Sequence, residues 1–261
     1  MQINNIEKNN VQIEVKNLDM VYGSYIVQKN INFSVKKSEI FIIMGDSGCG
    51  KSTLMRHMVG LKKPSKGDIF YHQNPFWETS ITKRQDLMRN FGVMYQSGAL
   101  WSSMTISENV ELPLRKYTSL TNKQIKEVVA FKLSLVGLAG YENFYPSEIS
   151  GGMCKRAGIA RAIALDPEII FFDEPSAGLD PISSKRLDDL ILTLRDGLGA
   201  TILVVTHELA SIFAIADYSI FLDSENKTSI AHGPPKELLK YSTIPKIQQF
   251  LTRGTKGVSP I

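Results

Sequence analysis

The stretch Gly45-Asp46-Ser47-Gly48-Cys49-Gly50-Lys51-Ser52 matches the spacing G-x-x-x-x-G-K-S/T. Glycines at these positions let backbone N–H groups converge on phosphate oxygens that bulkier residues would block. A helix starting at the end of the loop adds positive partial charge. Lys51 is then placed to bridge the β- and γ-phosphates of a nucleotide, and Ser52 to offer its hydroxyl to Mg²⁺. Cys49 reads as a small residue filling a slot in the loop rather than as a reactive thiol. A second constellation is Ile169-Ile-Phe-Phe-Asp173-Glu174. A buried strand ending in two acids presents carboxylates at the carboxyl edge of a sheet, where open α/β folds bind ligands. Asp173 is expected to hold Mg²⁺, directly or through water, and Glu174 to orient or deprotonate an attacking water. Alone, the acid pair is equally an acidic helix cap after a strand. Downstream of a phosphate loop, the catalytic reading prevails.

Such residues need elements that hold them. Ile40–Met44 is short, continuously apolar and followed at once by Gly45, as expected of a strand buried on both faces. The next segment puts Leu54, Met58 and Leu61 on one helical stripe and is expected to stop near Gly60 and Pro64. Ile169–Phe172 and Ile202–Val205 repeat the strand-then-helix grammar, which argues for a parallel sheet covered by helices. Two earlier stretches, Val11–Val15 and Ile31–Val35, alternate apolar and polar residues and predict antiparallel strands with one wet face. Thr105…Glu108 and Thr121…Gln124 fit capping boxes. After the second, Ile125, Val128, Val129, Leu133 and Val136 recur at helical spacing before Gly137. Residues 101–165 therefore read as a helical insertion in the α/β core. Pro234 to Phe250 reads as a helix followed by a Pro-broken second segment, and Gly254 to Ile261 as a frayed tail.

Composition bounds the function. The chain has 261 residues and a net charge of +4, with 43% hydrophobic residues. That is enough apolar material for a substantial core. Length over roughly 150 residues per domain gives about 1.7 domains. The longest unbroken apolar runs, Ile40–Met44 and Ile212–Ala216, are five residues, against the about 20 a membrane-spanning helix needs. Met1 to Asn10 is polar, without an apolar stretch of signal-peptide type, so the reading is a cytosolic protein. Two cysteines supply neither a disulfide framework nor a zinc cluster. A charge of +4 spread along the chain assigns no nucleic-acid role.

Further motifs in order give the chain a family resemblance. Ser150-Gly151-Gly152-Met153, upstream of Asp173, resembles the LSGGQ signature of ABC-transporter ATPases. Ser176-Ala-Gly-Leu-Asp180 resembles that family's D-loop, His207 its switch histidine and Gln96 its Q-loop glutamine. Tyr22 resembles the aromatic residue that stacks on adenine, with Tyr25 close by as a competitor for the assignment. The resemblance runs from residue 11 to about 235. It implies a P-loop NTPase fold: a RecA-like parallel-sheet core, an N-terminal antiparallel β-subdomain and an inserted helical subdomain. One such domain over 11–245 and an extension over 246–261 would account for the chain. It implies ATP and Mg²⁺ as cofactors. Gly45 to Ser52 with Thr53 would bind ATP, Ser52, Gln96 and Asp173 would serve the metal, and Lys51, Glu174 and His207 would carry catalysis. Ser150, Gly151 and Gly152 would act in trans on a nucleotide held by a second copy, in a head-to-tail homodimer with Asp180 at the interface.

Two departures narrow the resemblance. Met153 stands where glutamine is usual, and Lys155 and Arg156 follow, as in ATPases of the Mla/Mce lipid-transport systems. Ile149 for the usual leucine conserves volume. The segment from Tyr95 through Gln96, Ala99, Leu100, Trp101 and Met104 to Arg115 is similar to the same ATPases. In ABC proteins this region receives a membrane partner, and Leu100 and Trp101 either form that docking patch or pack the insertion's core. The resemblance thus implies lipid transport between bacterial membranes, powered at the cytoplasmic face of the inner membrane beneath integral permease subunits. An Mce-domain substrate-binding protein and a small regulatory subunit are further partners it suggests. An ATPase of another importer, a regulatory ABC ATPase without transport and a phosphate-loop kinase stand as alternatives. The kinase leaves Ser150 to Gly152 and His207 without a role.

Overall fold

A computed structural model describes residues 10–253, so the tail reading at Gly254 to Ile261 lies outside the described residues. The chain divides into two compact units, one of residues 10–79 with 205–253 and one of Ser80–Val204.

In the first unit, β1 (Val11–Tyr22) and β2 (Tyr25–Lys36) form an antiparallel hairpin in which Tyr22 pairs with Tyr25. Gly23 takes the turn with φ 58°, a left-handed conformation that glycine adopts without cost. Ile31, Phe33 and Val35 are buried while Asn32 and Ser34 face solvent, the alternation expected of one wet face. β4 (Lys66–Tyr71) and β5 (Asn74–Pro75) complete an antiparallel sheet in the order β2-β1-β4-β5. β3 (Ile40–Gly45) is buried at every residue. It pairs in parallel with β9 (Tyr218–Asp223), which pairs antiparallel with β10 (Thr228–Gly233). α1 (Lys51–Met58) follows the phosphate-type loop directly. The expected stripe is corrected at its end. The Leu61 amide donates to the Arg56 carbonyl across Gly60 at φ 86°, so the helix closes at Met58 and Leu61 is left 62% exposed. α7 (Leu209–Ile215), α8 (Pro235–Tyr241) and α9 (Pro245–Leu251) complete the unit. α9 buries Ile247 and Leu251, and Phe250 meets Phe221 edge-on at 5.0 Å between ring centroids.

In the second unit, β6 (Phe91–Met94) and β7 (Ile169–Asp173) are parallel neighbours, and β7 lies between β6 and β8 (Thr201–Val205). Apart from the final Asp173, β7 is fully buried, and β8 is buried throughout. α2 (Ile81–Met88) precedes β6. α3 (Ile106–Tyr117), α4 (Asn122–Leu135) and α5 (Gly151–Ala162) pack on one another. Thr105 and Thr121 form the two capping boxes with Glu108 and Gln124, satisfying amides that otherwise lack partners at a helix start. α6 (Pro181–Leu198) connects β7 to β8.

Candidate functional site

The phosphate-type loop leaves β3 at Gly45, where φ is 145° and an added Cβ would lie 2.3 Å from the Leu222 carbonyl oxygen. No other residue fits that close approach. Gly50, at φ 102°, sets the start of α1, and a Cβ there would stand 2.6 Å from Val27. Lys51 is 8% exposed, and its ammonium donates to the Gly45 carbonyl at 2.8 Å and the Asp46 carbonyl at 2.9 Å. The cation thus spans the loop it follows. Cys49 is 1% exposed, with Sγ 2.9 Å from the position of a Gly45 Cβ, and burial pushes its thiol pKa up. It is a packing residue, as expected of a slot filler. The Gln28 side chain, fully buried, donates to the carbonyls of Cys49 and Asp223. Ser52 and Thr53 are half-buried at the head of α1.

His207 belongs to the same unit. The Thr206 amide donates to the Ile43 carbonyl of β3 at 3.3 Å, so the residue before His207 is tied to the strand that feeds the loop. His207 is exposed, and its Nε2 lies 3.5 Å from a Glu208 carboxylate oxygen. Tyr22 is 44% exposed and Tyr25 62%. The Lys62 ammonium sits 2.7 Å from the Tyr22 ring centroid and the Lys227 ammonium 4.5 Å from that of Tyr25, so each ring carries a cation on one face.

In the second unit, β7 delivers Asp173 half-buried and Glu174 9% exposed at the strand end. Glu174 has φ 50°, left-handed for a residue with a Cβ, a conformation that recurs at functional sites. Lys155, buried on α5, donates its ammonium to the Ala177 carbonyl, in the turn that follows Glu174. Burial pulls the Lys155 pKa down, and the Glu174 carboxylate opposes that. Ser150 is the N-cap of α5, its hydroxyl accepting from the Met153 amide at 3.3 Å. A Cβ added at Gly151 would meet nothing within 4 Å, so the signature's helix start faces open space. Asp180 is exposed and caps α6, accepting from the Ile182 and Ser183 amides at 3.0 Å each. Hydrogen bonds from Ser183 hold its carboxyl below the usual range.

Gln96 is exposed after β6. The segment behind it is built by residues that sequence patterning did not single out. Arg161 of α5 donates to the Ala99 carbonyl at 2.7 Å and the Gly98 carbonyl at 3.0 Å. Gly158 lets α5 close on Gly98, since an added Cβ would lie 3.0 Å from the Gly98 Cα. Asn109 is fully buried. Its carbonyl oxygen accepts from the Trp101 amide, and its amide group donates to the carbonyls of Trp101, Met104 and Thr105. The backbone from Gly98 to Thr105 is thereby held while the Trp101 ring stays 61% exposed. The Trp101 ring is thus exposed while Leu100 is half-buried.

Among the described residues, no group of three or more His, Cys, Asp and Glu side chains could hold a metal ion. Ser52 in the first unit and Asp173 in the second each carry a hard oxygen donor of the kind Mg²⁺ takes.

A family model described as "ABC transporter" matches residues 28–177. The chain is 39% identical to the intermembrane phospholipid transport system ATP-binding protein MlaF of Haemophilus influenzae, over 94% of this chain and 92% of that one. It is 38% identical to a probable ribonucleotide transport ATP-binding protein, mkl, of Mycobacterium leprae, over 96% of this chain and 71% of that one. Among solved structures it is similar to the dimeric ABC transporter cassette MJ0796, with TM-score 0.77 and 29% identity over 85% of this chain and 98% of that one. The same cassette is also known as a post-hydrolysis dimer bound to ADP and Pi, at TM-score 0.77 and 28% identity over the same shares. The chain therefore belongs to the ABC transporter family as one of its ATP-binding subunits.

Proposed function

We propose that this chain is the ATP-hydrolysing subunit of a transporter that moves phospholipid between bacterial membranes through a separate permease. The observation that carries the reading is its likeness to MlaF over nearly the full length of both chains. Met153 in the signature, with Lys155 and Arg156 behind it, supports the same reading. In this mechanism Lys51 and the amides of Gly45 to Ser52 hold the β- and γ-phosphates of ATP. Ser52, Asp173 and Gln96 would hold Mg²⁺, which when bound would neutralise phosphate charge. Glu174 takes a proton from, or aligns, the attacking water, and His207 contacts the γ-phosphate. Ser150, Gly151 and Gly152 of a second copy complete the nucleotide's surroundings, with Asp180 at the shared interface. Catalysis is positioning plus charge stabilisation. Tyr22 stacks on adenine.

The permease docks on the segment from Gln96 to Met104, with Trp101 as the exposed anchor. No helix among the described residues is long and apolar enough to cross a membrane. The subunit works at the cytoplasmic face of the inner membrane, held there by its permease, with an Mce-domain protein and a small regulatory subunit as further partners. Reconstitution with the permease in vesicles tests the proposal. ATP-dependent transfer of a labelled phospholipid is the expected result. The mkl relative's name favours one competing reading, a nucleotide substrate. ATP-dependent uptake of a labelled ribonucleotide with no lipid transfer would establish that reading instead.

A further inference from the structure

The phosphate-type loop contains a negative charge of its own, at Asp46, where an anionic ligand is to be held. A second carboxylate lies beside it. β3 and β9 run in parallel register with Gly45 opposite Leu222, so Asp46 and Asp223 leave the pair side by side. Asp223 is fully buried. Two adjacent carboxylates at a polyphosphate site oppose ligand binding unless a cation compensates them.

Lys246, on α9, supplies that cation. Its ammonium forms an ion pair with Asp223, lies 3.1 Å from the Asp46 carboxylate and lies 3.2 Å from that of Glu225. The Lys246 side chain is 25% exposed, so it is only partly screened. Its helix is anchored independently: Ile247 and Leu251 are buried, and the Gln248 side-chain amide donates to the carbonyls of Leu239 and Ser242. The ammonium is therefore carried on a packed element rather than on a free side chain.

We propose that Lys246 is a positioning residue for the phosphate loop, partly offsetting the charge of Asp46 from the C-terminal helix so that the loop accepts a nucleotide polyphosphate. This role rests on the nucleotide reading of the loop. Asp223 first, then Asp46 and Glu225, raises the Lys246 pKa above the ordinary lysine value, so the charge is present at all physiological pH. Asp223 holds the lysine in place, and the same ammonium, 3.1 Å from Asp46, partly offsets that charge.

The test is the affinity of the full chain for a fluorescent ATP analogue at low and high salt. Lys246→Met weakens binding about tenfold at low salt, equivalent to one decade in Kd, and less at high salt. Adding Asp46→Asn to Lys246→Met restores most of the lost affinity, and Lys246→Arg stays near the native value. Lys246→Met leaves Asp223 buried without its cation and so risks misfolding. Asp223→Asn with Lys246→Met removes that risk and keeps the Asp46 charge bare, so its affinity also falls. Native affinity in this double variant, or no recovery on adding Asp46→Asn, overturns the proposal. Failure of the native chain to bind the analogue would overturn the nucleotide reading itself.

Discussion

Lys155, on the helix that the signature begins, donates to the carbonyl of Ala177, in the loop that follows Glu174. The signature helix and the loop carrying the proposed catalytic acid are thus tied by one buried cation. Lys155→Met leaves the Ala177 carbonyl unpaired, which costs on the order of 1–3 kcal/mol when buried. The expected outcome is about a tenfold fall in kcat with KM for ATP little changed, and recovery in Lys155→Arg. Steady-state ATPase kinetics separate the two parameters, and a change confined to KM would remove Lys155 from this role.

Lys51 and Glu174 have separable functions. Lys51→Ala strips the loop of the cation that bonds the Gly45 and Asp46 carbonyls, so nucleotide binding weakens by at least about tenfold in a fluorescence titration. Glu174→Gln keeps the side chain's shape but removes its charge and its capacity as a base, so ATP still binds while hydrolysis slows by about 10²–10⁴-fold. Size-exclusion chromatography with ATP then shows a persistent dimer. Normal turnover by Glu174→Gln would sink the catalytic assignment.

Acid lability follows from His57. The ring is fully buried, its Nδ1 lies 2.6 Å from the Lys62 carbonyl oxygen, and burial lowers its pKa below the ordinary 6.5. Since the folded pKa lies below the unfolded one, the unfolded state binds the extra proton more readily. The stabilisation is complete above about pH 6.5 and is lost as pH falls through the lower folded value. Urea midpoints measured from pH 7.5 to 5 should fall more steeply for the native chain than for His57→Gln. Parallel curves would show that another group sets the acid limb.

Trp101 and Asn109 should separate docking from folding. Trp101→Ala removes an exposed ring and leaves the isolated subunit within about 0.5 kcal/mol of native stability. Its permease should nonetheless bind about 30-fold more weakly, the scale of an interface hot spot. Asn109→Ala orphans the Trp101 amide and loses three donated bonds, so it destabilises the subunit by about 2–3 kcal/mol. Thermal melts and co-purification with the permease read the two effects separately.

Much of the architecture is written in local pattern. Ile40–Met44 is continuously apolar and becomes a strand buried on both faces. Thr105 and Thr121 carry acceptors at capping spacing, and both boxes form. Gly45 and Gly50 fall at the loop's glycine spacing and take positive φ, which glycine adopts without cost. These features concern residues within a few positions of one another, where periodicity, caps and steric exclusion act directly. The spacing of Lys51, Ser150, Asp173, Glu174 and His207 is legible for the same reason, since each sits at the start or end of such an element.

What spacing cannot record is which distant side chains meet. Leu61 belongs to a helical stripe by periodicity, yet Gly60 turns the chain and exposes it. Arg161, Asn109, Lys155 and Lys246 have no motif, because a long polar side chain acquires its partner only when two separately formed elements pack. Asp46 and Lys246 are far apart in sequence and 3.1 Å apart in space. The sequence by itself determined the elements and the family and proposed the residues of nucleotide chemistry, because local sterics and hydrogen bonding act at short range along the chain. The tertiary structure alone decided which buried charges compensate one another, because Coulomb energy depends on distance through space and on burial, and neither is a property of sequence order.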